Sequence, residues 1–178
     1  IRGYEESVNI SGTTASLATE LFISQTSSDF IIAEIFYTGT VTEEGQQYDG
    51  DKYIKIYNNT DKVLYADGLS IVGSAFQTVD KQDYTPDIMR EAIAVSAILT
   101  IPGNGTEHPV EPGGYIIIAD NGINHQTQNS NSIDLSKADF EIFNEDSDDI
   151  DNPEVPNMLT PYGKFLLHNR GFNSYAIA

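Results

Sequence analysis

The sequence predicts an all-β fold, an antiparallel β-sandwich, and three observations lead there. Ten tyrosines, eight phenylalanines and many isoleucines fall in short runs separated by Gly, Pro, Asn and Asp, the spacing of strands joined by tight turns. The clearest run, residues 51–58, alternates strictly: Ile54 and Ile56 face one way, Tyr53, Lys55 and Tyr57 the other, as a period of two requires. Helix signals are confined to one brief cap at Thr85.

Taken in order, Phe30 to Tyr37 is a strong strand closed by Thr38-Gly39. After the 51–58 strand, Asn58-Asn59-Thr60-Asp61 is a turn of residues that tolerate left-handed or side-chain-bonded backbone. Val63-Leu64-Tyr65 and Leu69 to Val72 read as strands on either side of Asp67-Gly68. Thr85-Pro86-Asp87 offers a cap, a proline and an early carboxylate for a short helix through Ala92. The β-branched run Val95 to Ile101 returns to strand and ends at Pro102-Gly103-Asn104-Gly105. Tyr115 to Ala119 is apolar on both faces, which predicts a central, buried strand. Residues 121–131 are polar loop, Ile133 to Phe143 fits a strand or a single helical turn, and 146–156 is an acidic, proline-bearing loop. Phe165 to His168 and Ser174 to Ile177 are expected to pair around Asn169-Arg170-Gly171. The predicted inward set is Ile32, Ile54, Ile56, Leu69, Ile71, Ile117 and Leu166. Residues 1–28 read as the terminal strands of a preceding β domain plus a linker, with 29–178 as the main domain.

Composition bounds the function. A 178-residue chain is ample for one core. Twenty-seven acidic residues against nine basic give a net charge of −18, a field that opposes nucleic-acid backbones and anionic membrane faces. Cysteine is absent, which removes disulfides and thiolate chemistry. The longest weakly polar run, Ala92 to Ile101, covers ten residues, about half of the ~20 that a bilayer span needs.

No catalytic residue is assigned from the sequence. Gly68 to Gly73 has one residue too many after Ser70 for a Gly-x-Ser-x-Gly elbow, and a triad would need one of His108, His125 and His168 beside a serine. Gly103-Asn104-Gly105 lacks the third glycine of a dinucleotide loop. Histidine spacings of 17 and 43 residues with no cysteine argue against zinc. Calcium is the one metal expectation, at Asp146, Asp148, Asp149 and Asp151, because clustered carboxylates suit a hard cation. The run is no EF-hand, since Ile150 and Asp151 stand where a ligand and a glycine belong, and such runs usually form solvated loops. Glu34, inside the first strand on the face of Ile32 and Phe36, is expected to be exposed at an edge or ion-paired, with Lys55 or Arg170 as partner. Tyr48, Tyr53, Tyr57, Tyr65 and Tyr84 offer a stacking surface for sugars or peptides, although tyrosine also simply suits a half-buried strand.

Several segments resemble known families. Ile31 to Ile35, Tyr53 to Asn58, Tyr65 to Leu69 and Pro112 to Ala119 resemble lamin-tail domains, whose fold is an immunoglobulin-like sandwich. Tyr53 and Lys55 stand where those domains typically carry tryptophan and glutamate. Phe36 to Thr40, Tyr84 to Met89 and Leu167 to Phe172 resemble signatures of an uncharacterised lipoprotein family on the surface of anaerobic Gram-negative bacteria. That likeness runs from Phe30 to Ala178. A smaller β-sandwich precedes the main domain in that family, which would account for residues 1–28. The resemblance implies a cell-surface, outer-membrane location through a lipid anchor outside this chain. Its members are often encoded beside TonB-dependent receptors. The expected function is non-enzymatic docking on an outer-membrane nutrient-uptake receptor. A ligand- or cation-capturing surface protein is the alternative and a hydrolase the third reading. No cofactor is expected apart from calcium.

Overall fold

The computed structural model describes residues 29–88, 90–147 and 149–178, so the expectation of a preceding domain fragment at 1–28 lies outside the described residues. The strands are β1 (Phe30–Phe36), β2 (Tyr53–Asn58), β3 (Leu64–Tyr65), β4 (Ser70–Gln77), β5 (Val95–Thr100), β6 (Pro109–Val110), β7 (Tyr115–Ala119), β8 (Phe140–Glu141), β9 (Leu159–Tyr162) and β10 (Asn173–Ile177). Among the described residues a 3₁₀ turn, His125–Thr127, falls in the loop before β8. One sheet has the order β1-β2-β7-β8 and the other β10-β4-β5-β9, while β3 and β6 form a two-stranded ribbon. Every pair is antiparallel except β7 with β8. The fold is an all-β antiparallel sandwich, as the strand pattern predicts.

One core joins the two sheets. Ile54 and Ile56 of β2, Ile116 and Ile118 of β7 and Phe140 of β8 meet Ile71 of β4, Ala97 and Leu99 of β5, and Phe165 and Leu167. Each fully buried isoleucine or leucine contributes about 1.5–3 kcal/mol of transfer free energy. The period of two in β2 holds throughout, with Ile54 and Ile56 wholly buried and Tyr53, Lys55 and Tyr57 on the outer face.

Two departures from simple alternation follow from local geometry. In β1 the register slips between Ile32 and Glu34, so Ile32 lies opposite Ile56 and Ile35 opposite Ile54. Both therefore pack against the core, and Glu34 does not share a face with Ile32. An inserted residue reverses the facing of everything beyond it. In β7, Ile116 and Ile118 are the inward residues. Ile117, expected inward, lies opposite Lys55 on the outer face. Ile32 and Leu69 are partly buried against the core, while Ile54, Ile56 and Ile71 are wholly buried.

The C-terminal pairing differs from expectation. β10 pairs with β4, and residues 165–168 are not a strand. Two of their carbonyls are taken by side chains, Lys52 Nζ donating to Leu167 O (2.9 Å) and the Tyr175 hydroxyl to Leu166 O (3.2 Å), and His168 O accepts from Gly171 N (2.9 Å). Phe165 and Leu167 point into the core, whereas Leu166, expected inward, is 58% exposed. The helix expected from Thr85 to Ala92 amounts to one turn, in which Glu91 and Ala92 N both donate to Ile88 O (2.9 Å). A helix nucleus gains stability only by propagating, and from Val95 onward the chain is committed to β5 against β4.

These positions separate in a stability measurement. Leu167→Ala is expected to cost about 2–5 kcal/mol in urea unfolding, as a buried deletion does. Leu166→Ala, one residue away, is expected to stay within about 0.5 kcal/mol.

Candidate functional site

The ribbon of β3 and β6 builds one polar centre. Leu64 pairs with Val110 and Tyr65 with Pro109, so the turn after β3 comes to lie beside the residues that lead into β6. Asp67, Glu107 and His108 thereby bring donor atoms within 4.8 Å of one another, and they are the trio of this kind among the described residues. Backbone N–H groups hold Asp67: Gly105 N (3.1 Å) and Glu107 N (3.0 Å) donate to Oδ1, and His108 N (2.9 Å) to Oδ2. Burial works to raise its pKa, but the donors from His108, Glu107 and Gly105 prevail and hold the carboxyl at about 2. Gly103 permits the close wrap, because a Cβ there would stand 2.1 Å from Asp67 Oδ1. The His108 ring meets Phe140 edge-on, with centroids 4.9 Å apart. Glu107 and His108 line a cleft of about 500 Å³ that Tyr115, Ile116, Asp139 and Phe140 also border.

The other buried polar groups clasp loops. Asp51, wholly buried, accepts from Thr40 N (3.1 Å), Thr40 Oγ1 (2.7 Å) and the Ser132 hydroxyl. His125, 1% exposed, sits with Nδ1 2.8 Å from the Tyr48 hydroxyl and Nε2 2.9 Å from Asn121 O. Burial, then the charge of Asp51, pushes the Tyr48 hydroxyl above its ordinary pKa. Ser132 therefore bonds a carboxylate and His125 bonds Tyr48, an arrangement in which the histidine does not act on the serine. Glu141, also 1% exposed, accepts from Gly122 N (2.7 Å) and Asn152 N (2.8 Å). A Cβ on Gly122 would stand 2.7 Å from that carboxylate. Lys52 forms a largely buried ion pair with Asp120 at 3.0 Å.

Three of the calcium candidates, Asp146, Asp149 and Asp151, lie among the described residues. Asp149 Oδ2 accepts from Asn144 N (3.2 Å) and Nδ2 (3.1 Å), and Asp151 Oδ1 from Asn157 Nδ2 (2.9 Å). Asp146 lines a cleft of about 360 Å³ with Glu145, Asn157 and Lys164. Asp148 lies outside the described residues. Glu34 is exposed, as one reading allowed, but it does not form the expected ion pair. Its Oε1 accepts from the Tyr53 hydroxyl at 2.8 Å, while Lys55 Nζ sits over the Tyr115 ring, 4.0 Å from its centroid. Cation–π contact has taken the place of the salt bridge.

Of the five tyrosines singled out, two share one sheet face. Ile31–Tyr57–Tyr115 and Glu34–Lys55–Ile117 form neighbouring rows across β1, β2 and β7. Phe36 packs against Tyr53 beside them, the rings tilted and their centroids 5.4 Å apart, and Tyr115 is 54% exposed. Tyr48 is instead bound to His125, and Tyr65 belongs to the ribbon. The Asp67–Glu107–His108 trio was not legible in the sequence. Its members are 40 and 41 positions apart, and only Asp67-Gly68 and the turn at 102–105 hinted that loops meet there.

Burial raises the Asp120 pKa from 3.8 to about 6, against the pull of Lys52, and the charges of Asp149 and Asp49 add to the rise. Between these values the native state holds a proton that the unfolded chain has released. Stability from this group is thus complete below about pH 4 and is lost as pH rises through about 6. Asp120→Asn is expected to remove that component. Relative to the variant, the wild type should lose at most about 3 kcal/mol between pH 4 and 7 in urea melts.

Residues 111–178 match the model of a family described as protein of unknown function (DUF4876). Among solved structures the chain is similar to a DUF4876 family protein from Bacteroides thetaiotaomicron, with 28% identity and a TM-score of 0.67. The likeness covers 84% of this chain and 42% of that one, so the chain spans less than half of that relative. No curated protein matches. The family model and the similar solved structure carry the same family name, and the second extends the likeness to 84% of the chain.

Proposed function

We propose that the chain is a non-enzymatic docking module of a lipid-anchored protein on the bacterial cell surface. In this reading it binds an outer-membrane, TonB-dependent nutrient-uptake receptor through the outer face of the β1-β2-β7-β8 sheet. The observation that carries it is the composition of that face: Phe36, Tyr53, Tyr57 and Tyr115 surround the Glu34–Lys55 row. Aromatic side chains give large contact area at small entropy cost, and they dominate the energetics of interfaces. Charge supports the choice. In a chain of −18 this face carries one acid opposite one base, so a partner with a basic rim meets it without repulsion at the centre.

The immunoglobulin-like, lamin-tail-like character and the surface location rest on the sequence resemblance, and the bacterial source of the similar solved protein is in keeping with it. No helix of the described residues is long and apolar enough to cross a membrane, and in this reading a lipid anchor outside the chain supplies the attachment. The capture of a ligand or cation is the second reading, favoured by the trio beside the cleft.

Cross-linking on intact cells, followed by identification of the joined protein, tests the docking. A β-barrel receptor in stoichiometric yield is the expected product. Tyr57→Asp and Tyr115→Asp should each weaken that complex about 30-fold, the effect of losing ~2 kcal/mol at a contact centre, with the melting temperature little changed. Recovery of the protein alone, or capture unaffected by both substitutions, would overturn the reading.

A further inference from the structure

We propose that Asp67, Glu107 and His108 bind a divalent first-row transition ion, with zinc as the natural probe. The proposal goes beyond the docking reading and concerns the ribbon rather than the sheet face.

The donor set is the first argument. An imidazole nitrogen with two carboxylates suits zinc, manganese or iron, whereas calcium takes oxygen ligands alone. Geometry is the second. All three donors lie within 4.8 Å of one another, and tetrahedral bonds of ~2.0–2.2 Å would set neighbouring donors about 3.4 Å apart. Closing that difference calls for small side-chain rotations, and Glu107 is the most exposed of the three, its Oε1 accepting from Asn104 Nδ2 at 2.6 Å. Asp67 and His108 are each held by fixed neighbours. Three backbone donors fix Asp67, and its Oδ2 receives one of them, which leaves a lone pair for a cation. Phe140 orients the His108 ring, and Ala66 N donates to His108 O at 2.9 Å, locking the two segments together.

Surroundings supply the third argument. Glu107 and His108 form part of the wall of the cleft of about 500 Å³, with Tyr115 and Phe140 as its aromatic members. Three protein donors leave a coordination position for water or an incoming ligand, and a cleft of that size is in the range of small-molecule sites. In the sequence these residues showed no metal signature, because Asp67 stands 40 and 41 positions from the other two.

Purified chain titrated with Zn²⁺, and separately with Co²⁺ as a spectroscopic probe, provides the test. One ion per chain is expected, with a higher melting temperature and visible Co²⁺ absorption that Zn²⁺ abolishes and equimolar Ca²⁺ does not. Glu107→Gln and His108→Gln should each weaken binding at least tenfold while the metal-free melting temperature stays near that of the wild type. Absence of one-to-one binding overturns the proposal, as does wild-type affinity in either variant, which would place the ion elsewhere on the acidic surface. Competition by equimolar Ca²⁺ overturns it as well. If His108→Gln fails to fold, Glu107→Gln decides alone, because that side chain is exposed.

Discussion

Backbone N–H groups take the place of cations inside this molecule, and the loops depend on it. Twenty-seven carboxylates face nine lysines and arginines, so most acidic side chains have no counter-ion available. Asp120 takes Lys52, while others drawn inward are satisfied by amides and hydroxyls instead: Asp51 by Thr40 and Ser132, Asp67 by the amides of Gly105, Glu107 and His108, Glu141 by Gly122 and Asn152. A buried carboxylate with such donors is tolerated, and one without them would be expelled or protonated. Each of these groups joins segments distant in sequence, so the long connections of a short-stranded sandwich are held by polar clasps rather than by apolar packing alone.

Asn58 shows the same economy in a neutral side chain. Wholly buried, it donates to Lys62 O and Val110 O (both 2.8 Å) and accepts from Thr60 N and Oγ1. It thereby closes the turn after β2 and anchors β6, the strand whose N-terminal flank carries His108. The ribbon that assembles the candidate metal centre is only two residues long on each side, and two short strands gain little stability unaided. Asn58 on one flank and Asp67 on the other supply what the ladder lacks. The proposed ion would add a third tie at the same place.

The two proposals place their sites on different parts of one sandwich, the outer sheet face and the ribbon. Inner faces of both sheets are committed to the core, so function must occupy outer faces, edges or loops. The β1-β2-β7 surface offers aromatic area with little net charge, and the ribbon offers ligands for an ion beside a cleft. Tyr115 belongs to both regions, at the end of one row and on the cleft wall. The proposed docking face and the proposed ion site would therefore be neighbours in space, sharing Tyr115 at their border while the ion's ligands lie on the ribbon.

Much of the strand content was legible because it follows from local pattern. The 51–58 alternation and the isoleucine run of β7 need only the pleat, in which successive side chains point to opposite faces. Two of the departures share one cause. Ile117 and Leu166 are as apolar as their buried neighbours, and a run apolar at every position does not state which half faces inward. The slip in β1 that turns both Ile32 and Ile35 toward the core is a property of pairing with β2.

The amino-acid sequence by itself determined the class of fold, the position of most strands and turns, and a surface charge that narrows the choice of partners, since these depend on composition and on contacts between near neighbours in the chain. The tertiary structure alone decided which strands pair, which carboxylates find amide donors, and that Asp67 meets Glu107 and His108. Those outcomes depend on distances between residues tens of positions apart, and such distances exist only once the two sheets have closed on their core.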